Sequence, residues 1–216
     1  MAPHESRRMP DLVDYLLVLP PGWARIPLDE RASAASSAIV DRAVANAPAD
    51  AQANVRRFVT ARLREVVRGA QIVSGTDLYL PTELIHGAPV PLSIIVSAPQ
   101  LAAGENSAAD ALLAFAARGG ATAVEVGGRL AVRQAGDVPV VLTANGELQI
   151  PASRRISYAI VPPTGDRLLV VTGSMLRMDT PEADDLLDAV EQLFDAMALT
   201  IRFAPTAARA AVAGML

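Results

Sequence analysis

The chain has 216 residues, 51% of them hydrophobic, with a formal net charge of −4; it is long enough to bury a core and too apolar to be disordered. It contains no cysteine, and its 19 basic residues, the two histidines apart, are all arginine. This excludes disulfides, thiolate metal sites, cysteine nucleophiles and lysine chemistry, and the negative balance argues against a nucleic-acid binder.

Residues 1–10 are polar with two prolines and are expected to form a flexible arm. Leu16–Leu19 is a short apolar run with strand character. Pro20-Pro21-Gly22 breaks it, and Trp23 to Leu28 resumes as an extended piece. Proline fixes the backbone and withholds donors, glycine permits a tight turn, and Trp23 is the only tryptophan. Pro20, Pro21, Gly22 and Trp23 therefore read as a structural corner.

Two helices follow. The first covers Glu30 to Ala47 with Asp29 as N-cap; Ala32, Ala35, Ile39, Ala43 and Val44 share one face. The second carries the stripe Val55, Phe58, Val59, Leu63, Val66 and Val67, with Asp50 as N-cap and Gly69 as stop. The period then changes, and residues 70–81 and 90–99 read as strands joined by a turn-rich loop containing His86. Ser107 caps a short helix, with Asp110 at the capping-box position. Residues 121–134 alternate on either side of Gly127-Gly128, the clearest hairpin signal of the chain. Residues 138–151 form a second hairpin turning at Asn145-Gly146, and residues 154–175 a longer pair.

Thr180, Pro181 and Glu182 open an amphipathic helix in which Leu186, Leu187, Val190, Leu193, Phe194 and Met197 keep helical spacing. Residues 198–203 close the fold as a last strand. The expected organisation is one α/β domain over residues 11–203 and an Ala-rich tail over 204–216. Its fold class is α+β, a mostly antiparallel sheet with helices packed on its faces.

The opening Pro20-Pro21-Gly22-Trp23 and the closing helix–strand pair from Leu186 to Phe203 resemble the PsbP-like α/β/α sandwich family, which includes the LpqN and DcrB proteins. That resemblance implies a binding or assembly module and offers no shared catalytic residues. It also implies an envelope location for LpqN-like proteins. Here, however, the apolar run behind Arg7-Arg8 is broken by Asp11 and Asp14, no secretory or membrane-spanning pattern is found, and the expected location is cytoplasmic.

The residues themselves offer little chemistry. His86 with Glu83 supplies two metal ligands where zinc needs three or four, so no metal and no cofactor is expected. Ser74 and Ser174 lie near glycines without a Gly-x-Ser-x-Gly elbow, and no phosphate loop is present. The paired carboxylates of a glycosidase would have to come from Asp77, Glu83 and Glu125, whose separation sequence cannot give.

Charge patterning is more pointed. Asp184, Asp188, Glu191 and Asp195 form one acidic stripe on the last helix, and Arg57, Arg64 and Arg68 share a face of the second. Like charges at such spacing cost about 0.2–0.5 kcal/mol per pair, and partners would relieve them. The stripes are candidate interaction residues, pairing with each other inside one molecule or between two, or docking a charged partner. The expected role is a non-enzymatic interaction or assembly domain with a protein partner or a second copy, no nucleic acid and no membrane insertion. The alternative is a small-molecule-binding protein or enzyme with an apolar pocket near the 77–90 loop.

Overall fold

The computed structural model describes residues 15–84, 87, 89–105, 107–142, 148–150, 152–163, 167–177 and 183–203. In chain order the elements are β1 (Tyr15–Leu16), β2 (Trp23–Pro27), α1 (Ala32–Ala45), α2 (Gln52–Ile72), β3 (Gly75–Pro81), β4 (Leu92–Ser97) and α3 (Ala108–Ala116). They continue with β5 (Ala121–Val126), β6 (Arg129–Val138), β7 (Val141–Leu142), β8 (Leu148–Ile150), β9 (Ser153–Ile160), β10 (Leu169–Leu176), α4 (Ala183–Leu199) and β11 (Arg202–Phe203).

The main sheet has seven strands in the order β2-β3-β4-β10-β9-β6-β5, and every neighbouring pair is antiparallel. The β5–β6 hairpin turns at Gly127 and Gly128, both with positive φ (60° and 73°). That is the backbone a two-residue hairpin turn of the primed type requires, and glycine reaches it without strain. Two small antiparallel pairs lie outside the main sheet, β1 with β11 and β7 with β8.

Because side chains alternate along a strand, the two faces of the sheet are lined by different residues. Tyr79, Ile94, Val96, Ile156 and Tyr158 pack with Leu187, Val190, Phe194 and Met197 of α4. Ile26 and Leu78 pack on the opposite face with Ala32, Val40, Leu63 and Ala70 of α1 and α2. Val132 and Ala159 meet Ala108, Ala111 and Leu112 of α3 on that same face. The result is three layers, α4 over one face and α1, α2 and α3 over the other, an α+β fold as the hairpin-rich sequence implies.

One local expectation holds at the level of a single hydrogen bond. Ser107 Oγ accepts from the Asp110 N–H at 3.1 Å, capping α3. Asp29 is not the N-cap of α1: that residue is Arg31, with no side-chain cap bond, and the helix begins at Ala32. Asp29 Oδ1 accepts from the Arg31 N–H at 2.9 Å in the turn ahead of it.

The second helix departs from its expected end. It runs through Gly69 to Ile72, so the segment expected to be strand from residue 70 is still helical. A glycine inside a helix costs only about 0.5–1 kcal/mol, which the burial of Ala70 helps to offset. The chain turns instead at Ser74, whose φ of 57° is left-handed. Asp50 is not the cap either: the N-cap residue is Ala51, with no side-chain bond.

Phe58 was expected in the apolar stripe and is 73% exposed. Five residues at about 100° each put it about 140° around the helix from Leu63, which faces the core. The expected Asn145-Gly146 turn, the Thr180-Pro181-Glu182 helix start, the arm and the tail lie outside the described residues.

The sheet and α4 approach closely at Gly173 in β10, where a Cβ would lie 2.8 Å from the Phe194 ring. Gly173→Ala should therefore destabilise the fold by about 1–3 kcal/mol through overpacking. Gly69→Ala, whose new Cβ meets nothing within 4 Å, should instead stabilise by about 0.5–1 kcal/mol. Denaturant unfolding of the two variants beside the parent checks both signs.

Candidate functional site

The acidic stripe of α4 lies against arginines that β6, β9 and the end of β10 present on the face α4 covers. Arg133 grips Asp195 with two bonds, Nε to Oδ1 at 3.0 Å and Nη2 to Oδ2 at 2.9 Å, and its Nη2 also donates to Glu191. Arg154 Nη1 donates to Asp188 and Glu191, both at 3.0 Å. Arg177 Nη2 donates to Asp184 at 2.6 Å. Tyr158 adds its hydroxyl to Asp195 at 2.8 Å.

Every carboxylate of the stripe thus has a cationic partner in its own chain, and the like-charge cost read from α4 alone disappears in the fold. The basic stripe does not take part. It sits on α2, on the opposite face of the sheet, so the two stripes do not pair within one molecule. Arg57 of that stripe bonds the Asn54 side chain, while Arg64 and Arg68 make no ion pair or hydrogen bond among the described residues.

A second polar cluster, which charge patterning on helices does not reveal, closes the N-terminal end. Asp77 of β3 is only 4% exposed. Its Oδ1 accepts from Arg25 Nε at 2.7 Å and its Oδ2 from the Tyr15 hydroxyl at 2.6 Å. The Tyr15 and Tyr79 hydroxyl oxygens are 2.8 Å apart. Since Tyr15 gives its only proton to Asp77, Tyr79 is the donor between them.

Burial beside a carboxylate disfavours a phenolate. It pushes Tyr79 up to about 12 and Tyr15 well above its usual range. Tyr158 is also raised, by burial and then by its bond to Asp195. All three phenols are therefore proton donors at neutral pH and none is a base. The cluster ties β1 to the edge strand β2 and its neighbour β3.

The corner ahead of β2 is held in the same region. The Gly22 carbonyl accepts from both the backbone N–H (2.7 Å) and the hydroxyl (2.9 Å) of Thr82. Gly22 has a φ of 81°, and a Cβ there would meet Glu83 at 2.9 Å, so a side chain is excluded twice over. Trp23 is half-buried and packs at the margin of the α4-side core. Its indole N–H is buried without an acceptor among the described residues. Pro20, half-buried, and Pro21, exposed, precede it.

Concavities among the described residues include the following. A groove of about 620 Å³ runs between α1 and α2. A cleft of about 260 Å³ lies beside α3, with Arg118 stacked over the Phe115 ring at 5.4 Å. The pocket expected near the 77–90 loop depends on His86, which with Ile85 and Ala88 lies outside the described residues. No group of three or more metal-ligating side chains occurs among the described residues. No helix among them is long and apolar enough to cross a membrane.

No family model and no curated protein matches the sequence. Among solved structures, the chain is similar to LpqN, described as involved in cell envelope biogenesis of Mycobacterium tuberculosis. The superposition has a TM-score of 0.45 at 12% identity and covers 92% of this chain and 88% of that one.

Two expectations come from these clusters. Arg133→Gln leaves Asp195 and Glu191 without their shared cation and should cost about 1.5–3 kcal/mol, read by denaturant unfolding. A tyrosine whose folded pKa is raised contributes stability below its unfolded value of about 10 and loses it as pH rises through the folded value. An ultraviolet titration should therefore show no phenolate at pH 10, then ionisation toward pH 12 together with unfolding. Tyr15→Phe and Tyr79→Phe should each flatten that alkaline loss.

Proposed function

We propose that this chain is a non-catalytic binding module that docks an acidic partner protein through the outer face of α2. The observation that carries the reading is Phe58, 73% exposed on a helix with five arginines (56, 57, 62, 64 and 68) and one glutamate (65). Leaving a large apolar side chain in water forgoes about 1.5–3 kcal/mol. An exposed aromatic flanked by arginines has the composition of interface anchors. Arg57 precedes Phe58, and Arg62 follows it one helical turn later on the same side.

Charge decides the partner. Asp41 and Glu65 meet Arg56 and Arg62, and the remaining excess of arginine on α2 attracts an acidic surface and orients its approach. The chain's own acidic stripe is a poor candidate, since Arg133, Arg154 and Arg177 already hold it; this favours a different protein over a second copy. The chemistry of the polar clusters supports a non-enzymatic role. Asp77 is bound by Arg25 and Tyr15, and the tyrosines stay protonated. Membership of the PsbP-like group is part of the same proposal, supported by the Pro20–Trp23 corner and by the α4–β11 ending.

A photo-crosslinking amino acid placed at position 58 of the full chain tests the docking. The expected result is a crosslink to a protein with an acidic surface. The purified pair should bind in a salt-sensitive way and lose about tenfold or more in affinity with Phe58→Asp, as hot spots do. Leu113→Asp, at a 70% exposed position of α3, should leave binding unchanged. A crosslink of the chain to itself, or binding indifferent to Phe58→Asp, would overturn the proposal.

A further inference from the structure

A different face of α2 forms one wall of the groove against α1. Thr60, Arg64 and Arg68 all line it, and their spacing of four residues stacks them along one row of the helix. Ser33 and Ser37 line the opposite wall, also four residues apart. The run Ala32 to Ala38 of α1 holds only alanine and serine, and those short side chains leave the space that the longer ones of α2 surround. The volume of about 620 Å³ falls within the range of small-molecule sites, about 300–1,000 Å³.

The groove is not uniformly cationic, and the order of its charges matters. Asp29 and Glu30 line one end and Asp41 the other. Asp29 is held by Arg31 at 2.6 Å and Asp41 by Arg56 at 2.9 Å. Between those ends, Arg64 and Arg68 make no ion pair among the described residues. Two like charges one turn apart repel by a few tenths of a kcal/mol, and a compact anion placed between them removes that cost. Arginine forks match tetrahedral oxyanions through paired charge-assisted hydrogen bonds.

We propose that the α1–α2 groove binds a small organic phosphate, its phosphoryl group held between Arg64 and Arg68 on α2 and the Ser33 and Ser37 hydroxyls on α1. The organic part lies along the buried Ala32, Val40 and Leu63 that form the apolar lining. The acids at both ends reject extended polyanions, so nucleic acid and anionic membrane surfaces are excluded by the same residues that leave room for one compact group. The site is independent of Phe58, which is not among the groove's lining residues.

Calorimetric titration of the full chain with phenyl phosphate, and separately with inorganic phosphate at equal ionic strength, tests it. Phenyl phosphate should bind more tightly than inorganic phosphate. The double variant Arg64→Gln/Arg68→Gln should weaken phenyl phosphate at least tenfold, and Arg57→Gln should not. Both arginines are exposed, so the double variant should keep the parent's unfolding midpoint, since surface substitutions usually stay within about 0.5 kcal/mol. Phe58→Asp should leave phosphate binding intact, which separates this site from the docking face. Absence of phenyl phosphate binding at millimolar concentration, or binding unmoved by the double variant, would overturn the proposal. Equal affinity for the two probes would overturn the organic part.

Discussion

The seating of α4 on the sheet is the constraint on which the other features depend. Phe194 is fully buried, its ring lies over Gly173 and it meets Tyr158 edge-on with centroids 5.9 Å apart. Burying that ring drives the helix onto the sheet, but apolar contact has no direction. Register comes from the arginines. Arg133, Arg154 and Arg177 meet four carboxylates spaced along α4, and a helix shifted by one turn would lose that match. Exposed ion pairs contribute little singly, whereas the partly buried, bidentate Arg133–Asp195 contact gains from a lower local dielectric.

The N-terminal segment is secured by similar means on the same face. Asp77 would be a liability as an isolated buried carboxylate. With Arg25 and Tyr15 bound to it and Tyr79 donating to Tyr15, it becomes a fastener for a segment that pairs only briefly, through β1 and β11. Groups that in another setting would suggest acid–base chemistry are here held fixed, each donor facing an acceptor. On the other side, in the α1–α2 layer, an exposed phenylalanine and two arginines over a groove stay unengaged.

Much of the architecture was legible because its signals are local. Gly127-Gly128 between alternating runs specifies a tight hairpin whatever surrounds it, and Ser107 with Asp110 caps a helix through bonds three residues apart. The period of α4 marks Leu187, Val190, Phe194 and Met197, which its buried face contains. The end of α2 was not legible. Gly69 is a weak stop, and the sheet contact that carries the helix to Ile72 is not visible along the chain. Phe58 falls outside the core because a loose apolar stripe includes residues on both sides of the true core direction, and only the docked helix fixes its rotation. The Asp77 cluster joins residues 52 to 64 positions apart, beyond the reach of any motif.

The sequence by itself determined the class of fold, the β5–β6 hairpin, the Ser107 cap and the existence of two oppositely charged helices, because period, turn chemistry and charge are properties of short stretches. Only the tertiary structure decided what those charges do. The packing of layers put α4 and α2 on opposite faces and gave the acids to the sheet's arginines. Arg64 and Arg68 were left facing an open groove. Electrostatic partnership depends on distance in space, and the fold sets that distance.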